Sequence, residues 1–135
     1  MASNEKQFMT EFVQAAREQG AHAVVIAGTY LAGIPDLYVK FPDQAGFWLE
    51  LKYQDGPKKG YPVMLTPLQR AFLAKTRSVN GWAAWLLCVN IVGAWNLYGS
   101  STEIPHQINA DGPWLVATRM RGQRWDPLTI IRRLT

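Results

Sequence analysis

Sulfur chemistry has little material in this chain. Its 135 residues hold one cysteine, Cys88, lodged in an apolar run, so no intramolecular disulfide can form. A buried structural thiol and a reducing compartment are expected instead. The two histidines, His22 and His106, have no Cys or carboxylate at ligand spacing, which removes a zinc site of the usual kind. Gly28 and Gly33 lack the trailing Lys-Ser/Thr of a nucleotide-binding loop, and no serine stands in a nucleophile elbow. There are no repeats and no low-complexity tracts. The longest apolar stretch, Trp82 to Trp95, is broken by Asn90 and is shorter than the ~20 residues a membrane span needs. The opening residues, Met1-Ala2-Ser3-Asn4-Glu5-Lys6, have no signal-peptide character. The expectation is a soluble cytoplasmic protein with no membrane partner.

What is present suits one folded domain over 1–135, with a core at about 4–98 and a basic segment at about 113–135. A hydrophobic share of 48% against 18% charged residues excludes wholesale disorder. Charge is uneven. Through residue 112, Lys and Arg balance Asp and Glu at nine each, whereas from Pro113 five arginines face only Asp126. Arginine forks suit phosphate, so this edge suggests a polyanion, nucleic acid before membrane; a solvated tail with no partner is the plain alternative.

The element order expected is α-β-β-β-α-β followed by shorter pieces. Phe8, Phe12, Ala15, Ala16 and Gln19 recur at helical spacing over about 4–19, and Gly20 suits the C-terminal cap. Ala23-Val24-Val25-Ile26-Ala27 is wholly apolar, which predicts a buried central strand. Pro57 to Pro62 is expected as an exposed loop. Thr66-Pro67-Leu68-Gln69 has the cap, N1 proline and spacing that open a helix, which runs to about Val79. Strands are expected at Trp82–Val89, at Val92–Tyr98 and, on an edge, at Trp114–Met120, and Asp126-Pro127 starts a last helix. This is an α/β domain with a mixed central sheet flanked by helices.

Between the first strand and that helix lie the residues that carry chemistry. Gly33-Ile34-Pro35-Asp36 leads into Leu37-Tyr38-Val39, and Pro42 to Gly46 turns the chain into Phe47-Trp48-Leu49-Glu50-Leu51-Lys52-Tyr53. Alternation puts Glu50 and Lys52 on one face, and the hairpin return brings Asp36 towards them. Two carboxylates and an ammonium converge. Hard Mg²⁺ or Mn²⁺ takes such oxygen ligands together with substrate phosphate, so Asp36, Glu50 and the backbone carbonyl of Leu51 form a candidate seat. Lys52 is placed to steady a water or a phosphate. A surface hairpin with a Glu–Lys pair is the bland alternative.

Gly33-Ile34-Pro35-Asp36, Glu50-Leu51-Lys52 and the trailing Leu65-Thr66-Pro67-Leu68-Gln69 resemble the PD-(D/E)XK nuclease superfamily, and within it the small VRR-NUC and Holliday-junction-resolvase-like members. The resemblance runs from the first helix to about Val89. It implies a restriction-endonuclease-like core and a metal-dependent DNA endonuclease with catalytic Asp36, Glu50, Lys52 and Gln69. Gln69 also has a purely structural reading, as the closing residue of a capping box. The resemblance further implies a metal-approaching acid on the first helix, for which Glu11 is chosen over Glu5 and Glu18. Branched DNA, a homodimer and a phage or mobile-element setting follow from the same likeness, with Holliday-junction resolution as the leading activity. Flap- or nick-directed cleavage, a non-catalytic DNA-binding module, and an enzyme of short oligonucleotides are the alternatives.

Thr29 and Tyr30 before the motif, Lys58 and Lys59 in the next loop, and Arg119, Arg121 and Arg124 near the end are candidate DNA contacts. Among six tryptophans, Trp82, Trp85 and Trp95 belong to apolar strands and are expected in the core. Trp48 shares the face of Glu50, and Trp114 and Trp125 are open.

Overall fold

The computed structural model describes residues 4–26 and 33–135. The chain runs α1 (Asn4–Glu18), β1 (His22–Val25), β2 (Leu37–Lys40), β3 (Phe47–Asp55), β4 (Gly60–Pro62), α2 (Pro67–Ser78), β5 (Trp82–Ile91), β6 (Ala94–Ser100), β7 (Gln107–Asn109), β8 (Leu115–Met120) and α3 (Pro127–Leu134). Six strands form one sheet in the order β1-β2-β3-β5-β6-β8, and β4 pairs with β7 in a separate ribbon. The sheet is mixed: β3 and β5 are parallel, joined through α2, and every other neighbour is antiparallel. This is the α/β arrangement expected from the sequence.

Alternation along the strands splits the core in two. Leu37, Val39, Phe47, Leu49, Leu51, Leu86 and Cys88 face α1 and α3, meeting Phe8, Phe12, Ile130, Ile131 and Leu134. Trp85, Leu87, Val89 and Tyr98 face the other way, against Leu73 of α2 and Tyr61 and Ile108 of the β4–β7 ribbon. The faces therefore belong to different helices, and this decides which side chains can meet. α1 ends where Gly20 takes a positive φ and its N–H and that of Ala21 reach Arg17 O and Ala16 O. The helix then runs back along β1, with Lys6, Met9 and Val13 lining one groove with Val25.

Four expectations change. The apolar run at Val24 is an edge strand, with Val24 36% and Val25 42% exposed, because β2 pairs with only one side of it. Part of the Pro57–Pro62 loop is β4, whose Tyr61 is fully buried in the second core while its hydroxyl oxygen accepts from Lys58 N–H. Trp82 begins β5 stacked on Phe47 yet 36% exposed, whereas Trp125 is buried with the α1 core. The strand expected from Val92 starts at Ala94, since Val92 and Gly93 make the turn. The basic end is built into the fold: β8 closes the sheet as an edge strand and α3 packs on α1.

Candidate functional site

The site begins at a close crossing. Gly33 has φ 88°, and a Cβ there would lie 2.8 Å from both Cβ and O of Leu68, so glycine lets the turn sit against the start of α2. Buried Pro35 follows, and Asp36 O accepts from Ile26 N–H at 2.8 Å, tying the turn to the end of β1. Pairing of Leu37 with Leu49 puts Asp36 opposite Glu50. The Leu51 N–H donates to Asp36 Oδ2 at 3.0 Å. In an extended strand, N–H and C=O of one residue face the same edge, so the Leu51 carbonyl lies on the edge that β2 has left.

Glu50 is 2% exposed and is the one buried charged residue among those described. Its Oε1 accepts from Gln69 Nε2 at 2.8 Å and lies 3.3 Å from Lys52 Nζ. Its Oε2 is buried with no partner. Burial first, and then the negative charge of Asp36, push its pKa from 4.5 to about 7, against the downward pull of Lys52. Gln69 closes the capping box and also reaches Glu50. Its Oε1 accepts from Thr66 N–H at 2.9 Å while Thr66 Oγ1 accepts from Gln69 N–H, closing the capping box, and its Nε2 holds Glu50.

An unpartnered buried carboxylate oxygen beside a second carboxylate leaves room for a cation, and hard-oxygen donors suit Mg²⁺ or Mn²⁺. The residues present therefore fit the ion. Among the described residues no three His, Cys, Asp or Glu side chains gather into a metal-holding group, so the protein offers two acids here.

Glu11 does not join them, which corrects its choice as the helix acid. It lies on the α1 side of the sheet, where its Oε1 pairs with Arg119 Nη2 at 2.9 Å, while Glu50 and Lys52 project from the opposite face. Glu18 pairs with Arg124. Glu5 is exposed in the first turn of α1.

The expected DNA contacts separate into used and unused cations. Arg119 is engaged within the fold: it stacks 5.0 Å from the Trp95 ring centre, pairs with Glu11 and donates from Nε to Gln123 O, and its side chain is 13% exposed. Arg124 is exposed but paired with Glu18, whereas Arg121, Lys58 and Lys59 are exposed with no ion pair. Thr29 and Tyr30 lie outside the described residues. Sequence reasoning overlooked Tyr38 and Phe72, which flank Trp48 at ring separations of 4.9 and 5.4 Å. Period two carried the signal, since Tyr38 follows Asp36 by two and so shares its face.

The chain matches no protein-family model and no curated protein. Solved structures share its fold, among them two nuclease-related ones. A Holliday junction resolvase, Hjc of Archaeoglobus fulgidus, superposes with a TM-score of 0.54 at 17% identity, over 77% of this chain and 87% of that one. A VRR_NUC domain superposes with a TM-score of 0.50 at 19% identity, over 64% of this chain and 85% of that one. The fold is thus the restriction-endonuclease-like one that the sequence resemblance implies.

Proposed function

We propose that this protein is a Mg²⁺- or Mn²⁺-dependent endonuclease that hydrolyses phosphodiester bonds in branched DNA, with Holliday junctions as the leading substrate. Glu50 carries the reading: a buried carboxylate with one oxygen held by Gln69 and Lys52, the other unpartnered, and Asp36 beside it. Asp36, Glu50 and the Leu51 carbonyl would hold the ion. When bound, it supplies a Lewis acid that acidifies a water and offsets phosphate charge.

The chain's own groups do the positioning. Leu51 N–H fixes the Asp36 carboxylate, and Gln69 Nε2 fixes Glu50. Lys52, partly exposed beside Glu50, offers its ammonium to the attacking water and to the phosphate as negative charge builds. In-line attack breaks the P–O3′ bond and leaves a 5′-phosphate. Likeness of fold to a protein described as a Holliday junction resolvase supports the choice of a branched substrate. Symmetric cutting of a four-way junction calls for two centres, hence a homodimer.

The test is cleavage of labelled four-way junction, flap, nicked and linear duplex DNA in Mg²⁺ or Mn²⁺, wild type beside Asp36→Asn. The asparagine keeps an acceptor for Leu51 N–H while removing the charge. Paired cuts on the junction, lost in the variant, are expected. Cutting of flaps or nicks alone would reassign the substrate, and binding without any cleavage would leave a DNA-binding module.

A further inference from the structure

The sheet face that carries Glu50 is unevenly covered. α2 lies over β5 and the β4–β7 ribbon over β5 and β6, and among the described residues no helix covers β1 and β2 on this side. Register places Val24, Tyr38, Trp48 and Ala83 in one rung across four strands. The next rung is Asp36 and Glu50. Tyr38 and Trp48 thus stand two residues, about 6–7 Å, from the acid pair on the same face. Phe72 of α2 meets Trp48 edge to face at 5.4 Å, and Tyr38 meets it at 4.9 Å. All three rings are half-buried, and Leu68, which touches the Gly33 turn, is 58% exposed at the same helix start. Along β2 and β3 the face reads Lys52, then the two acids, then the two rings, then Lys40.

Trp48 packs by one side against the second core, yet all three rings keep part of their surface exposed, where a solvated face would have been polar. Aromatic rings held on an open sheet face, with cations on both sides, are what a single strand needs: faces for bases and charges for phosphates. We propose that Tyr38, Trp48 and Phe72 form a stacking platform for an unpaired nucleobase of the strand whose phosphate reaches Asp36 and Glu50. The inference rests on the nucleic-acid reading of that site. It gives the enzyme a way to prefer branch points, where bases are free to leave the stack, over paired duplex.

The experiment measures binding of fluorescent oligothymidylate and of a blunt duplex without metal, for wild type, Trp48→Leu and Phe72→Leu. Leucine keeps apolar packing and removes the ring. Roughly 5- to 100-fold weaker binding of the single strand per variant is expected, with duplex binding and the unfolding midpoint unchanged. Equal affinity of wild type and variants for the single strand would overturn the platform. So would a wild-type dimer that Trp48→Leu dissociates, since the face would then seat a second copy. Cleavage by wild type and Asp36→Asn is scored separately. No cleavage by wild type, or equal cleavage by Asp36→Asn, with stacking intact would sink the nuclease, and intact wild-type cleavage without stacking would sink only the platform.

Discussion

Gln69 donates through Nε2 to Glu50 and accepts through Oε1 from Thr66 N–H, so one amide caps a helix and orients a carboxylate. Glu at this position would still close the capping box, yet it would set a second carboxylate against Glu50. Gln69→Glu is therefore expected to cost about 1–3 kcal/mol of stability through the lost donor to Glu50 while lowering cleavage about 10- to 100-fold, by urea unfolding beside single-turnover kinetics. Gln69→Ala should lose both. Glu50 makes a pH prediction. Its folded-state pKa of about 7 lies above the ordinary 4.5, so the metal-free native state holds the extra proton. The contribution of Glu50 to stability is then fully present below about pH 4.5 and is lost as pH rises through about 7. Urea midpoints between pH 5 and 8 should show the fall, Glu50→Gln should flatten it, and Mn²⁺ should restore stability at the alkaline end. A slope unchanged in Glu50→Gln would place the titration elsewhere. At this scale Asp36, Glu50 and Lys52 were legible because a hairpin is local and alternation assigns faces. The orphaned Oε2 was not, because burial of one carboxylate oxygen depends on α2, which is distant in sequence.

The elements show where local pattern reaches its limit. Caps and stops are written in a few neighbouring residues, and Gly20, Thr66-Pro67 and Asp126-Pro127 all mark helix ends. Strand position is not written locally. The apolar run at Val24 looks the same whether one neighbour or two will pair with it, and only the sheet order makes it an edge. β4 was missed for a related reason, since a three-residue strand exists through its partner β7, some 45 residues on. The β5–β6 turn holds a local conflict. Val92 has φ 40° and is 92% exposed, so a β-branched side chain sits in left-handed backbone with no packing to compensate. Asn followed by Gly93 is the preferred pair for such a two-residue turn. Val92→Asn is expected to raise unfolding stability by about 1 kcal/mol without altering DNA binding or cleavage. A destabilised variant would show that the valine makes a compensating contact.

For the whole molecule, the proposed function turns on which cations would face DNA, and composition alone misled. Five arginines near the C-terminus looked like one basic edge, but the fold divides them. Arg119 is 13% exposed between Glu11 and two tryptophans, and Arg133 donates to Val116 O, so both tie α1, β8 and α3 together. Long-range pairing of this kind is invisible in a linear charge count, because Glu11 lies 108 residues from Arg119. Lys58, Lys59 and Arg121 stay exposed without ion pairs. Lys58 and Lys59 follow the end of β3, and Arg121 follows the end of β8, which pairs with the start of β6 beside the end of β5. In the register of β3 with β5, both groups fall at the sheet end that Lys52 points along from Glu50. A duplex laid across that end would meet these cations beyond Lys52, on one side of the acids. Phosphate contacts release counterions, so each one removed should lower the slope of log K against log salt by about 0.9. Lys58→Ala, Lys59→Ala and Arg121→Ala are each expected to do so with folding unchanged. Arg119→Met should instead leave the slope alone and cost about 2–4 kcal/mol of stability, because it strands Glu11 and removes the cation from two rings. Titrations of junction binding from low to moderate salt, beside urea unfolding, separate the two groups. A reduced slope in Arg119→Met at normal stability would return that arginine to the DNA surface and move the duplex to the α1 face.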